Sequence, residues 1–324
     1  MFATAEATAR YAGRYPEFRD AGFYRTVRNL QVSSLGIGTY LNASVEALTA
    51  ALDGGVNFVD SAINYRNQQS ERDIGAALKR AQRDEIVVCT KAGFLTPGAV
   101  PDFLEPRDVV GGMHSMDPHF LADQIDRSRA NLGVDTIDVF YLHNPETQLG
   151  FRTRDEFEGR IRHAFSELER QVEKGKIRWY GAATWDGLRK KDALSLPRLA
   201  ELAVEEGGRD HHFRWIQLPF NLAMVEAYVD HPESVLQAAE RLGIAVVASA
   251  SLAQSRVLNQ MPDSVRELLP GLATDAQRAI QFTRSTPGIA VALVGMGTPA
   301  HVAENAGVAR VRPAKPEEYR RFFR

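Results

Sequence analysis

A closed (β/α)8 barrel, an α/β TIM barrel in one domain spanning 1–324, is the fold class that the sequence predicts. Three observations predict it. Eight short runs recur along the chain that are rich in β-branched residues and apolar on both faces, as parallel strands buried on two sides should be. Helix-period segments with suitable caps follow most of them. The length of 324 residues suits two domains or one α/β barrel, and eight strand–helix units favour the barrel. A doubly wound open sheet is the competing arrangement.

The strands are expected at VSSLGIGT from Val32, VNFVDSA from Val56, EIVVCTKAG from Glu85 and IDVFYLHN from Ile137. The remaining four are IRWYGAAT from Ile177, RWIQLPFN from Arg214, IAVVASAS from Ile244 and IAVALVGM from Ile289. Ser70 with Asp73 is read as opening a helix through Ile74, Ala77 and Leu78. Asp117-Pro118 gives an N-cap and a proline at the first helical position; Phe120, Leu121, Ile125 and Leu132 form an apolar stripe, and Gly133 stops it. Thr153 with Glu156 reads as a capping box, followed by Phe157, Ile161, Phe165, Leu168 and Val172, with Gly175 at the end. An N-terminal arm of about 1–30 precedes the first strand, and its residues 11–30 are placed to cover the barrel bottom. The stretch 93–116 is rich in Gly and Pro and long for a connection. Such loops are usually lids or disordered, and this one leaves the end of strand three where barrel active sites lie.

Composition narrows the function classes. Acidic and basic residues number 41 and 39, for a net charge of −2, which argues against a surface built for nucleic acid or anionic membrane. No run approaches the 18 or so apolar residues of a membrane span. The opening MFATAEATARYAGRYPEFRD lacks the apolar core of a secretory signal, so a cytoplasmic protein is expected. The single cysteine, Cys89, excludes an intrachain disulfide and reads as inert barrel core. His114 and His119 flank Asp117, and His211-His212 are adjacent, but no set of ligands is complete and no metal is expected.

Three consecutive strands end in ionisable groups: Asp60, Lys91 and His143, with Tyr65 five residues past Asp60. A buried Lys beside a buried Asp makes physical sense, because neither charge can be left unpaired inside a barrel. A Lys beside a phenol favours the phenolate and is expected to lower the Tyr65 pKa from about 10, which suits a general acid. A neighbouring His can orient a carbonyl oxygen. Taken singly, these are an ion pair, a core histidine and a packed loop tyrosine; four converging on one rim read as a site.

The stretches GVNFVDSAINYRNQQSE, LGVDTIDVFYLHNPE, VEKGKIRWYGAAT and LVGMGTPAHVAENAGVA, spread over most of the chain, resemble motifs of the aldo-keto reductases. The resemblance implies a catalytic tetrad of Asp60, Tyr65, Lys91 and His143: Tyr donates the proton, Lys paired with Asp tunes it, and His positions the carbonyl. It also implies a nicotinamide cofactor. Gly38, Thr39 and Asp60 belong to that site, with Gln217 in the place of a carboxamide-binding glutamine. Where the family often has Ser-Asn after strand five, Ala183-Thr184 stand here, leaving Thr184 one hydrogen bond. Ser249 stands where many members stack an aromatic ring. Leu252, Gln254 and Arg256 match the pyrophosphate-clamping loop, and Glu304 and Asn305 match adenine contacts.

Selection of NADP needs a cation for the 2′-phosphate. The strand-eight loop reads Gly295-Met296-Gly297, then His301, without the usual basic pair; His301 is a weak substitute, and Arg256 from the neighbouring loop is another, or else a solvated loop arginine. NADP(H) is expected, with NAD(H) as the alternative. Gly295-x-Gly297-x-x-Ala300 also fits the dinucleotide fingerprint, but only 24 residues follow Ala300, too few for a βαβ unit. A phosphate site after strand eight of a barrel explains the same glycines.

Tyr40, Phe94, Met113 and Met116 are placed to wall a substrate pocket, with Phe103 nearby; loop self-packing is the other reading of the loop residues. The tail YRRFFR is short, so specificity is assigned to the 93–116 loop. The expected function is an NAD(P)H-dependent oxidoreductase passing hydride between nicotinamide and a small aldehyde or ketone, or the corresponding alcohol. The alternatives are a cofactor-bound regulatory subunit of the same fold with slow turnover, and a barrel hydrolase or isomerase.

Overall fold

A computed structural model describes residues 1–41, 43–190, 193–230, 232–253 and 261–323. Eight parallel strands close into a barrel. They are β1 (Leu35–Gly38), β2 (Phe58–Asp60), β3 (Val87–Ala92), β4 (Ile137–His143), β5 (Ile177–Ala183), β6 (Phe213–Pro219), β7 (Ala245–Ser249) and β8 (Ile289–Gly295). The sheet closes where β8 pairs with β1 and Gly295 lies opposite Gly38. All eight strands fall where the apolar runs place them, and the open-sheet alternative is excluded by the closure.

The first strand starts later than expected. Val32 and Ser33 belong to a hairpin, Tyr24–Val27 with Leu30–Ser33, which pairs antiparallel outside the barrel. Apolar residues stand on both sides of the bend at Ser34, Val32 before it and Leu35 and Ile37 after it, so composition could not locate it. The N-terminal arm, two helices (Ala5–Gly13 and Pro16–Asp20) and this hairpin, therefore extends to residue 33. It plugs the barrel bottom: Ala3, Val27, Leu30 and Val32 pack against Phe58, Val87, Val139, Trp179 and Trp215.

Outside the strands lie α1 (Val45–Asp53), α2 (Gln69–Leu78), α3 (Pro118–Leu132), α4 (Arg154–Glu173), α5 (Leu196–Gly207), α6 (Val235–Leu242), α7 (Asp275–Ser285) and α8 (Pro299–Asn305). Outward strand residues such as Phe140, Leu142, Tyr180 and Ile216 form a second core with their apolar faces. The Asp117 carboxylate caps α3 by accepting from the His119 and Phe120 N–H groups, and Gly133 at φ 65° ends it. The Thr153–Glu156 capping box opens α4. The expected cap of α2 is not formed. Ser70 lies inside that helix and its Oγ donates to the Thr39 carbonyl at 3.0 Å, while Asp73 accepts from Arg66 and Gln69. Gln68, with φ 72° and no side-chain capping bond, precedes the helix instead.

The 93–116 loop is neither disordered nor a plain flap. Its main chain forms a small hairpin, Val109–Val110 with His114–Ser115, turned by Gly111 and Gly112 at φ 56° and 66°. Phe94 bridges to His114, and Ser115 N–H donates to the Gly93 carbonyl at 2.8 Å. No helix among the described residues is long and apolar enough to cross a membrane.

Candidate active site

Side chains alternate across a strand, so inward positions repeat every second residue. In β3 the inward series runs Val87, Cys89, Lys91, and in β4 Val139, Tyr141, His143, with the apolar members in the inner core. Asp60 follows Phe58 in β2 by the same step, and Gln217 follows Trp215 in β6. The upper layer of the barrel interior is therefore polar while the layers beneath it are apolar. Cys89 sits in the apolar part, fully buried, its thiol pushed well up by burial.

Lys91 is the centre of the arrangement. Its Nζ donates to Asp60 Oδ1 at 2.5 Å and to the Ser61 carbonyl at 2.7 Å. The second Asp60 oxygen, Oδ2, accepts from Gln217 Nε2 at 2.9 Å. Tyr65 reaches back from the loop after β2, with its ring centroid 5.0 Å from Lys91 Nζ. The Tyr65 ring meets the His143 ring edge-on at 5.7 Å and the Tyr40 ring at 5.0 Å. All four expected catalytic residues thus meet at one point, three of them almost fully buried and Tyr65 half-buried at the mouth.

The electrostatics differ from the expectation in one respect. Burial raises the Tyr65 phenol, and the nearby Lys91 charge offsets only part of that rise, so the hydroxyl is held above its ordinary value rather than below it. Desolvation works against the Lys91 charge, but the Asp60 carboxylate and the Tyr65 oxygen overcome it and hold the ammonium charged. Burial, with the Lys91 charge added, pushes His143 well below its usual range. The site holds a neutral phenol, a charged ammonium and a neutral imidazole at pH 7.

The described members of the expected cofactor set stand as follows. Thr184 is buried at the end of β5, its N–H donates to the Gln217 carbonyl at 2.8 Å, and its Oγ1 has no partner. An orphaned hydroxyl at this place fits a ligand amide, since a buried polar atom left unpaired is costly. Gln217 must face Asp60 with its nitrogen, because a carboxylate only accepts, which leaves its carbonyl oxygen for a donor. Thr39 Oγ1 donates to the Asp60 carbonyl at 3.1 Å and pairs with Ser61 Oγ at 2.9 Å, steadying the β1 and β2 ends. Ser249 ends β7, and Leu252 is half-buried beyond it. Gly295 and Gly297 flank the buried Met296 before α8, where Thr298 Oγ1 accepts from the His301 N–H at 3.3 Å. His301 and Glu304 are exposed and Asn305 is buried. Gln254 and Arg256 lie outside the described residues.

On the substrate side, Tyr40 is 56% exposed beside Tyr65, and Phe94 stands edge-on to His143 at 5.0 Å. Met113 is exposed on the hairpin. Met116 is not a wall residue: its side chain packs in the outer core with 2% exposure, because the chain has already turned down into α3.

Sequence reasoning gave no role to Glu146 and treated His114 only as a metal candidate. Glu146 Oε1 accepts from the N–H groups of Trp185, Asp186 and Gly187 at 2.7, 3.1 and 3.1 Å, tying the loop after β4 to the one after Thr184. His114 is fully buried with Nε2 2.8 Å from the His143 carbonyl and Nδ1 2.9 Å from Gln148 Nε2. Neither contact has a signal in residue spacing, since both depend on loop conformation.

Residues 34–267 match the family described as the aldo/keto reductase family. A curated relative, D-threo-aldose 1-dehydrogenase from Pseudomonas sp, is 29% identical over 289 residues, 81% of this chain and 82% of that one. The solved structure of an aldo-keto reductase from Bacillus halodurans in its holo form superposes with a TM-score of 0.68 at 20% identity, covering 93% of this chain and 95% of that one. An aldo/keto reductase from Klebsiella pneumoniae, solved with NADP and acetate, gives a TM-score of 0.67 at 21% identity, covering 92% and 94% of the two chains.

Proposed function

This chain belongs to the aldo/keto reductase family, and on that premise we propose that it interconverts a small aldehyde or ketone and its alcohol with a nicotinamide dinucleotide as redox partner. The observation that carries the reading is the junction of Asp60, Lys91, Tyr65 and His143 at the open end of the barrel. Its full set of proton-handling groups favours an enzyme over a cofactor-bound regulatory subunit.

The residues divide the work as follows. Thr184 Oγ1 and the Gln217 carbonyl oxygen would hold the carboxamide of the cofactor, with Ser249 beside the ring. Gly38, Thr39, Leu252, Gly295 and Gly297 would line the path to the phosphates, and His301, Glu304 and Asn305 the adenosine end. When bound, the nicotinamide supplies or takes the hydride. His143, being neutral, offers one N–H to the carbonyl oxygen and orients it. Tyr65 Oη gives its proton to that oxygen in reduction and takes it back in oxidation. Its raised pKa keeps the acid form at neutral pH, and Lys91, fixed by Asp60, stabilises the phenolate left behind.

NADP(H) is the cofactor proposed, supported by the NADP complex of the Klebsiella relative; NAD(H) is the alternative, supported by the lack of Lys and Arg from Gly295 to Glu304. The arm and barrel are read as one domain, because the arm's apolar residues complete the lower core. A cytoplasmic location is part of the same proposal, supported by the single buried cysteine and the lack of a spanning helix among the described residues. The experiment is a fluorescence titration with NADPH and NADH, followed by turnover of a carbonyl panel with the cofactor that binds. Saturable binding with carbonyl-dependent oxidation is the expected result; no binding of either dinucleotide overturns the reading.

A further inference from the structure

We propose that His114, on the hairpin of the 93–116 loop, is a positioning residue that fixes the catalytic His143 through that residue's main-chain carbonyl. The inference rests on the reductase reading of the site.

The geometry leaves little freedom. A carbonyl oxygen only accepts, so the 2.8 Å contact from His114 Nε2 to the His143 carbonyl requires the proton on Nε2. Nδ1 is then the acceptor for Gln148 Nε2 at 2.9 Å. Gln148 is held in that orientation in turn, because its Oε1 accepts from Arg160 NH1 at 3.3 Å, and Arg160 of α4 also donates to the Arg107 carbonyl at 2.9 Å on the loop itself. Both ring nitrogens of a fully buried imidazole are thus engaged. Burial holds this ring neutral, with its pKa lowered to about 4.

Packing reinforces the hydrogen bond. The Phe94 ring stands edge-on to His114 at 5.1 Å and to His143 at 5.0 Å, so one aromatic ring spaces the two histidines. The loop passes so close that a Cβ on Gly93 would lie 2.6 Å from His114 Nε2 and 2.6 Å from the His143 carbonyl oxygen. The main chain after His143 is bent, with Asn144 at φ 49°. An unsupported carbonyl at such a bend lets the His143 ring move, and displacements of about 1 Å at a reacting group cost on the order of 100-fold in rate.

The test uses the full-length protein and three variants. His114→Phe keeps an aromatic ring but removes the donor; His114→Gln puts an amide nitrogen where Nε2 was. His114→Phe is expected to lower kcat/KM for the carbonyl by about 10- to 100-fold, with the Kd for the dinucleotide unchanged within threefold, and His114→Gln to recover most of the loss. Equal losses in both variants, or no loss in a folded His114→Phe, overturn the proposal. Nitrogen-15 spectra of the wild-type histidines give a readout independent of turnover: the expected result at pH 7 is a neutral His114 protonated on Nε2, and the opposite tautomer overturns the assignment even if a variant fails to fold. Tyr65→Phe serves as the control for the reading beneath. If wild type and Tyr65→Phe turn over carbonyls equally, the reductase mechanism fails, while the spectra still decide the His114–His143 contact.

Discussion

Gln217 Nε2 lies 2.9 Å from Asp60 Oδ2, across 157 positions of sequence and the full width of the barrel mouth. Asp60 thereby spends one oxygen on Lys91 and the other on Gln217. One carboxylate holds both the ammonium proposed to tune the proton donor and the amide proposed to meet the nicotinamide, so the proposed catalytic and cofactor halves of the site share a single anchor.

Tyr65→Phe removes the hydroxyl proposed to exchange a proton with the carbonyl. Steady-state kinetics should show kcat reduced by about 1,000-fold or more, since general acid catalysis contributes on the order of 100- to 10,000-fold. Dinucleotide affinity by fluorescence titration should stay within threefold. A variant with wild-type kcat would remove Tyr65 from the mechanism.

Lys91→Met leaves the Asp60 carboxylate buried without its cation. Removing one partner of a buried pair costs about 3–5 kcal/mol, so the urea midpoint should drop sharply. The double variant Asp60→Asn/Lys91→Met should regain most of that stability while remaining inactive. Recovery of activity in the double variant would show that the pair serves stability alone.

Acid sensitivity follows from His114. Its pKa falls from 6.5 when unfolded to about 4 in the fold, so below pH 6.5 the unfolded chain takes up a proton that the fold refuses. Stability is therefore full above 6.5 and lost as pH falls toward 4. Linkage puts the loss from this one residue at about 2 kcal/mol between pH 7 and 5, and His143, lowered in the same direction, adds to it. Urea unfolding at the two pH values should give a smaller difference for His114→Gln than for wild type; identical differences would refute the assignment.

Glu146→Ala strips the acceptor from three main-chain N–H groups beside Thr184. Unmet donors of this kind cost about 1–3 kcal/mol each when buried, and the loop carrying Thr184 should loosen. The Kd for the dinucleotide should rise by about tenfold, and Glu146→Gln, which keeps an oxygen in place, should restore it. Calorimetric titration of the three proteins provides the comparison.

The barrel was readable because its strands announce themselves twice, by apolar runs and by the caps of α3 and α4 between them. The tetrad was readable for the same reason, as strand ends fix where inward side chains emerge. The start of β1 was not, because Val32 and Leu35 look alike on either side of a bend that only hydrogen bonding defines. Ser70 misled because its hydroxyl finds the Thr39 carbonyl, a partner distant in sequence, in place of a local cap. The Tyr65 shift went the other way because spacing reveals a nearby charge but not how far burial outweighs it. Met116, His114 and Glu146 all depend on the path of a loop, and loop paths leave no periodic trace.

The hairpin that turns next to Met113, and to which Phe94 bridges, carries the residues proposed to face the substrate and also grips the His143 main chain. On the proposed function, recognition and chemistry are therefore mechanically joined. Exchanging residues 93–116 for the corresponding stretch of a relative, in the hope of moving its substrate range onto this scaffold, would remove the brace along with the wall. Such a transplant should be attempted with His114, Gln148 and Arg160 carried as one unit, and point changes at the exposed Met113 offer the route to new selectivity that leaves the brace intact.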